Sequence, residues 1–200
     1  MANDFFNAIK ARRSIYSLGK DIDVSDGRIE EILGEALKHA PSPFNGQAGR
    51  MVLLLGAKHD EFWDATRETL RPLVPPEAFG RTDEKISSFK AGHGTVLFFE
   101  DQAVIEGFQK RFPLFKDNFP IWSGNATGML QYVVWTGLAV EGVGASLQHY
   151  NPLVDAWVHE RLDLPSSWKL TAEMPFGRIL APAGAKDFSP LEGRLSVLGR

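Results

Sequence analysis

The chain has 200 residues, 24% charged and 44% hydrophobic, with a formal net charge of -3 and no cysteine. That length suits one domain and buries roughly 70% of the unfolded surface, so a core forms without metal or disulfide staples. Disulfides, thiolate nucleophiles and thiolate metal sites are excluded, and the charge balance gives no reason to expect nucleic acid or a membrane surface as a partner.

The opening stretch MANDFFNAIKARRS has no apolar run after a basic one, so it does not read as a secretory signal and a cytoplasmic protein is expected. Asn3 to Arg13 is predicted helical, with Phe5, Phe6 and Ile9 as an apolar stripe. Asp23 to Ala40 is the clearest helix. Its residues Ile29, Ile32, Leu33, Ala36, Leu37 and Ala40 share one face, and Asp23 or Ser25 can cap it. Two prolines stiffen the loop from Pro41 to Gln47. Met51 to Leu55 is a continuous apolar run, expected to be a strand buried on both faces. Helices are predicted over His59 to Val74 and Glu77 to Ala91, with Pro75-Pro76 between them.

Thr95 to Phe99 is predicted as a second buried strand and Ile105 to Phe112 as a short helix. Phe108, Phe112, Phe115, Phe119 and Trp122 make that region aromatic. Ala126 to Val140 is apolar on almost every face, so it is expected to be the central core helix. It is too short and too interrupted for a membrane span, which needs about 20 apolar residues. Gly142 and Gly144 then lead into a predicted strand from Ala145 to Gln148. Pro152 to Leu162 is predicted helical, Leu170 to Leu180 a strand, and Arg194 to Leu198 a last alternating strand. No repeat or linker interrupts the chain, so residues 1–200 are expected to form a single domain. Few strands separated by helices point to an α+β, three-layer α/β/α architecture.

Several chemistries are absent. No phosphate-cradling P-loop or G-x-S-x-G elbow occurs, and the five histidines show no H-E-x-x-H spacing. Gly142-x-Gly144 stands at the wrong end of a helix for a dinucleotide fingerprint. Asp155 and His159 are four apart and read as ordinary solvated helix neighbours rather than metal ligands. Arg12-Arg13-Ser14 offers two guanidinium groups and a hydroxyl at a helix end, which suits a phosphate; cations at a helix C-terminus are equally favourable without one. Asn45 and Gln47 carry paired donors and acceptors that match the edge of a flavin-like heterocycle, or belong to a turn that exploits Gly46. His149 is open to three roles: proton donor, stacking group or satisfied core residue. Lys186 and Arg194 lie on a Pro/Gly-rich tail, where cations are usually just solvated.

Taken in order, ARRSIYSL, APSPFNGQ, the long buried helix with its glycine-rich exit and the C-terminal basic pair resemble the nitroreductase family over nearly the whole chain. GVGASLQHYNPLVD and PLEGRLSVL resemble a compact subgroup associated with stress responses. The resemblance implies a nitroreductase-like fold, an FMN cofactor and a homodimer. In such a dimer the long helices pack across the two-fold axis, a C-terminal segment wraps the partner, and each site draws on both subunits. It implies that Arg12, Arg13 and Ser14 hold the phosphate and ribityl chain, with Lys186 or Arg194 assisting. Asn45 and Gln47 would meet the ring edge, and Leu147, Gln148 and His149 would line the flavin, largely through backbone groups. NADH or NADPH would be the electron donor in a ping-pong reaction, and nitroaromatics or quinones the acceptors. A flavin-binding regulatory protein without turnover is the competing expectation. Tyr16 departs from the pattern: many larger members carry a basic residue there, whereas a phenol can only donate a hydrogen bond.

Overall fold

The computed structural model describes residues 2–199. Seven helices and five strands occur among them: α1 (Ala2–Ala11), β1 (Leu18–Gly19), α2 (Asp26–His39), β2 (Gly49–Leu55), α3 (Gly56–Leu70), α4 (Phe79–Lys90), β3 (Gly94–Asp101), α5 (Gln102–Arg111), α6 (Phe119–Val140), β4 (Val143–Ala145), α7 (Asp155–Leu162) and β5 (Trp168–Ile179). Of the two candidate caps for α2, Ser25 is the one used: its hydroxyl accepts from the Arg28 N–H at 3.2 Å.

All the strands pair antiparallel. The order is β1-β5-β3-β2, and β4 also pairs with β5. Strand β3 is buried along its whole length because helices cover both faces of the sheet. Val96 and Phe98 face a core built with α2 and α6, whereas Leu97 and Phe99 face one built with α3, α4 and α7. A bulge opposite Phe98 and Phe99 places Thr171 as the extra residue of β5. The Thr171 hydroxyl donates to the Phe98 carbonyl at 3.0 Å. The bulge shifts the alternation, so Leu170 and Glu173 both turn away from the face occupied by Ala172, Met174 and Phe176. The architecture is the expected α+β, three-layer one.

Two expectations need correction. Strand β2 is not buried on both faces: only Leu54 is fully buried, because β2 is the edge strand of the sheet. Arg194 to Leu198 forms no strand. The N–H groups of Arg194 and Leu195 both return to the Leu191 carbonyl in a turn, and no neighbouring strand of the chain offers a ladder. Strand β1 was not foreseen, since two residues carry no periodicity.

Helix α6 is the central helix, and it starts seven residues earlier than the apolar run suggested. Polar residues share its inward face with Phe119, Leu130, Val134 and Leu138. Ser123, Thr127 and Gln131 face inward, where Thr127 donates to Glu100 Oε1 at 3.2 Å and Gln131 to Thr171 Oγ1 at 3.4 Å. Ile121, Met129, Tyr132, Val133 and Val140 face outward and are exposed. Phe5 and Phe6 of α1 and the tail residues Phe188, Leu191, Leu195 and Leu198 are exposed as well. Gly137 packs inward: a Cβ there would lie 2.8 Å from Ile32, so the glycine permits the close α2–α6 crossing. No helix among the described residues is long and apolar enough to cross a membrane.

Candidate functional site

The segment following α1 runs beside the end of β4. The Ile15 N–H donates to the Ala145 carbonyl at 2.9 Å, and Ser14 pairs with Ala145. Arg13 donates to the Gly184 carbonyl at 2.7 Å, which pins the tail opposite. Between them lies a cleft of about 510 Å³, with Arg12 to Ser17 on one wall and Ala181 to Lys186 on the other. That volume lies within the range of small-molecule and cofactor sites.

The Arg12 guanidinium lies 4.2 Å from the Trp135 ring centre and 5.7 Å from that of Tyr132, both on α6. Stacking of this kind fixes the plane of the fork and leaves its N–H groups free for a ligand. Arg12 Nε is buried and has no partner. A buried donor without an acceptor requires an explanation, and a phosphate oxygen is one group that would supply it. Tyr16 is half exposed, with its ring 6.5 Å from Phe89. Lys186 lines the cleft beside Phe188, whereas Arg194 lies outside it and donates to the Ser189 carbonyl at 3.1 Å.

Asn45 and Gln47 stand elsewhere. Phe44, Asn45 and Gln47 have φ of 54°, 50° and 49°, a left-handed conformation that side chains disfavour. Several contacts hold them there. Ser42 Oγ accepts the Gln47 N–H at 3.0 Å, and Arg50 joins the Gln47 carbonyl at 2.7 Å to Asp101 Oδ2 at 2.9 Å. Phe44 is 57% exposed, yet its ring centre lies 5.0 Å from Phe112, 5.7 Å from Phe119 and 6.1 Å from Phe108. The aromatic residues seen in the sequence therefore gather around this loop. Below it lies a cavity of about 60 Å³, lined by Pro43, Gln47, Phe108, Ser123, Thr127 and Leu130 among others. No residue lines both this cavity and the cleft at Arg12. Within one chain the cavity and the cleft stay apart.

In the remaining segment, the Gln148 side chain is buried and donates to Ser146 Oγ at 3.0 Å. Leu147 packs against the core and His149 is exposed. The backbone N–H and carbonyl of Gln148 are engaged as well, by Glu173 at 2.7 and 3.0 Å. Behind the segment stands Glu173, which sequence reasoning missed. It is wholly buried, and Oε2 accepts the Tyr150 N–H at 2.9 Å while Oε1 has no partner. Burial, reinforced by Asp155, pushes its carboxyl up to about 7. Burial and the Glu173 charge push the Tyr150 phenol up to about 12. The signal available in the sequence was a lone acid inside the apolar strand LTAEMPFG. Asp155 and His159 are not solvated neighbours either: each keeps a buried polar atom without a partner. No group of three or more acidic, His or Cys residues suited to a metal occurs among the described residues.

A three-layer α+β fold with a cationic cleft beside the end of β4 defines the class. The chain belongs to the nitroreductase family, whose profile matches residues 9–178, and it has the oxidoreductase character of that family. It is 32% identical over 187 residues to the nitroreductase FRM2 of Saccharomyces cerevisiae, covering 92% of this chain and 93% of that protein. It superposes on nitroreductase CinD from Lactococcus lactis in complex with chloramphenicol with a TM-score of 0.90 and 41% identity, over 98% of this chain and 100% of the other. A nitroreductase with bound FMN from Desulfitobacterium hafniense shares the fold at a TM-score of 0.71 and 16% identity, with both chains fully covered.

Proposed function

We propose that this chain is an FMN-dependent reductase that works as a homodimer. One observation carries the reading: the cleft that gathers Arg12, Arg13, Ser14 and Lys186 around a buried guanidinium nitrogen with no partner. These residues suit a phosphate and a polyol chain. The chemistry supplied by the bound group is ping-pong hydride transfer from NADH or NADPH to a nitroaromatic or quinone acceptor. The chloramphenicol complex of CinD, a nitroaromatic bound to a relative of 41% identity, supports that acceptor class.

The protein's part is to bind, orient and exclude water. Trp135 fixes the plane of Arg12 and Arg13 anchors the tail as the far wall, while the 147–149 segment, which lies outside the lining of this cleft, would border the flavin beyond it. Tyr16 contributes a phenol where a cation would otherwise stabilise developing negative charge. Asn45 and Gln47 would reach the ring from the partner subunit: in their own chain Gln47 lines a different cavity, and neither residue lines the cleft at Arg12. The exposed apolar face of α6 and the apolar tail supply the surface for that partner. A visible spectrum of purified protein under anaerobic conditions tests this reading. Flavin bands that bleach with NADH or NADPH and return with a nitroaromatic or quinone are expected. A colourless protein that takes up no added FMN would refute it.

A further inference from the structure

The carboxyl group of Glu173 stands behind the 147–151 segment, inside a shell that holds more acceptors than donors. Glu173 Oε1, Asn151 Oδ1 and Asp155 Oδ1 are buried acceptors without partners, and His159 Nδ1 is unpartnered beside them on α7. Oε2 accepts from the Tyr150 N–H at 2.9 Å, and the Asn151 N–H also points to this carboxyl. The Gln148 N–H and carbonyl pair with the Glu173 backbone at 2.7 and 3.0 Å. The segment assigned to the flavin is thus held from behind by one residue, through both its backbone and its side chain.

Other groups facing this carboxyl offer little compensation. Strand β3 presents Leu97. From α3 and α4, Trp63 and Phe89 put their rings 5.9 and 6.5 Å from that of Tyr150. Helix α7 contributes Asp155, whose own carboxyl is raised by burial, and His159; Lys169 of β5 acts on Asp155. Buried acceptors without partners are costly unless a donor is supplied. A proton on Oε1 makes that oxygen a donor within the shell, while Oε2 keeps its bond to Tyr150.

We propose that Glu173 is a positioning residue whose neutral, protonated form orders the 148–151 backbone for the flavin, and whose ionisation loosens it. This rests on the flavin reading above. Glu173→Gln tests it, because an amide reproduces the acid: its oxygen accepts from Tyr150 and its nitrogen donates. Between pH 6 and 8.5, wild-type FMN affinity, read from flavin fluorescence, is expected to fall several-fold beyond the change shown by Glu173→Gln. The cofactor's own phosphate titrates alike in both proteins. The ligand-free wild type should lose melting temperature over the same range, and Glu173→Gln should not. Asp155→Asn removes the neighbouring negative charge, so it should move the wild-type break to lower pH; this variant serves if Glu173→Gln fails to fold. Parallel FMN profiles in wild type and Glu173→Gln, or a break unmoved by Asp155→Asn, overturn the inference and leave the flavin reading intact. Absence of FMN uptake by the wild type at every pH overturns both.

Discussion

Val133→Asp probes the outward face of α6 at its centre. Val133 is 41% exposed in the single chain and lies in an apolar groove with Phe5, Met129, Tyr132, Gly137 and Val140. Full burial of such a side chain is worth about 1.5–3 kcal/mol, so covering the remaining two-fifths contributes about 1 kcal/mol. A two-fold axis presents the same patch twice, so the dimer loses about 2 kcal/mol, roughly a 30-fold weaker association. The introduced carboxylate adds a desolvation cost to this. Light scattering on a dilution series of the purified variant measures it, with FMN titrated in parallel. Both association and FMN affinity should fall, since Asn45 and Gln47 would come from the other chain. A variant as tightly dimeric as wild type would show that this face is not the interface. A monomer with undiminished FMN affinity would show that one chain builds the whole site.

The other perturbations address the site and its surroundings. Arg12→Ala should cost about 1.5–3 kcal/mol, roughly ten- to a hundred-fold in FMN affinity, by loss of a charged phosphate contact; isothermal titration checks it, and unchanged affinity removes Arg12 from the site. Phe44→Ala should raise acceptor KM while leaving kcat nearly constant, because the ring offers contact area rather than transition-state stabilisation; steady-state kinetics with two acceptors of different size would expose an error. Stability should depend on pH in two opposed ways. Glu173 binds its proton more tightly folded than unfolded, so its contribution is complete below its ordinary value of 4.5 and is lost as pH rises through about 7. That shift corresponds to about 3 kcal/mol. His59 acts in the other sense. Its Nε2–H donates to the Lys90 carbonyl, while Nδ1 accepts from Thr95, which in turn accepts from Trp63 Nε1. Burial holds it below the usual range, so stability falls as pH drops below about 6.5. Chemical denaturation of wild type and Glu173→Gln at pH 5, 7 and 8.5 separates the two; identical profiles would exclude Glu173.

The sheet and its helices were legible because their signals are local. The apolar run at Thr95–Phe99, the 3–4 spacing of Ile29 to Ala36 and the serine before α2 each report on their own neighbourhood. What was not legible depends on distant partners. A continuous run at Met51–Leu55 says apolar but not edge. Thr127 and Gln131 looked like interruptions of a core helix, yet they are buried on its inward face beside Leu130, Val134 and Leu138, because Glu100 and Thr171 wait there. Arg194 to Leu198 alternates like a strand, yet alternation cannot supply the neighbour it needs. The gathering of the basic motif and the tail around one cleft, which depends on Arg13 reaching Gly184, could be read only through resemblance.

Helix α6 carries the cavity and the cleft at opposite ends. Phe119, Ser123 and Thr127 line the cavity beneath the Asn45–Gln47 loop, while Trp135 carries Arg12. From Phe119 to Trp135 the helix rises about 24 Å, so the two stand well apart along one rod. A two-fold axis perpendicular to that rod would set the start of one α6 against the end of the other. In the proposed dimer the loop of each chain would then approach the cationic cleft of its partner, and the left-handed strain at Phe44, Asn45 and Gln47 would present amides across the interface. Subunit mixing tests the division. Arg12→Ala and Asn45→Ala each spoil both sites of their own homodimer, but a mixed dimer carries one doubly altered site and one intact site. Equal amounts, dissociated and reassociated at random, should recover tight FMN binding at about a quarter of all sites. If stoichiometric titration after mixing finds no tight sites, each cleft draws Arg12 and Asn45 from the same chain, and the antiparallel pairing of α6 is wrong.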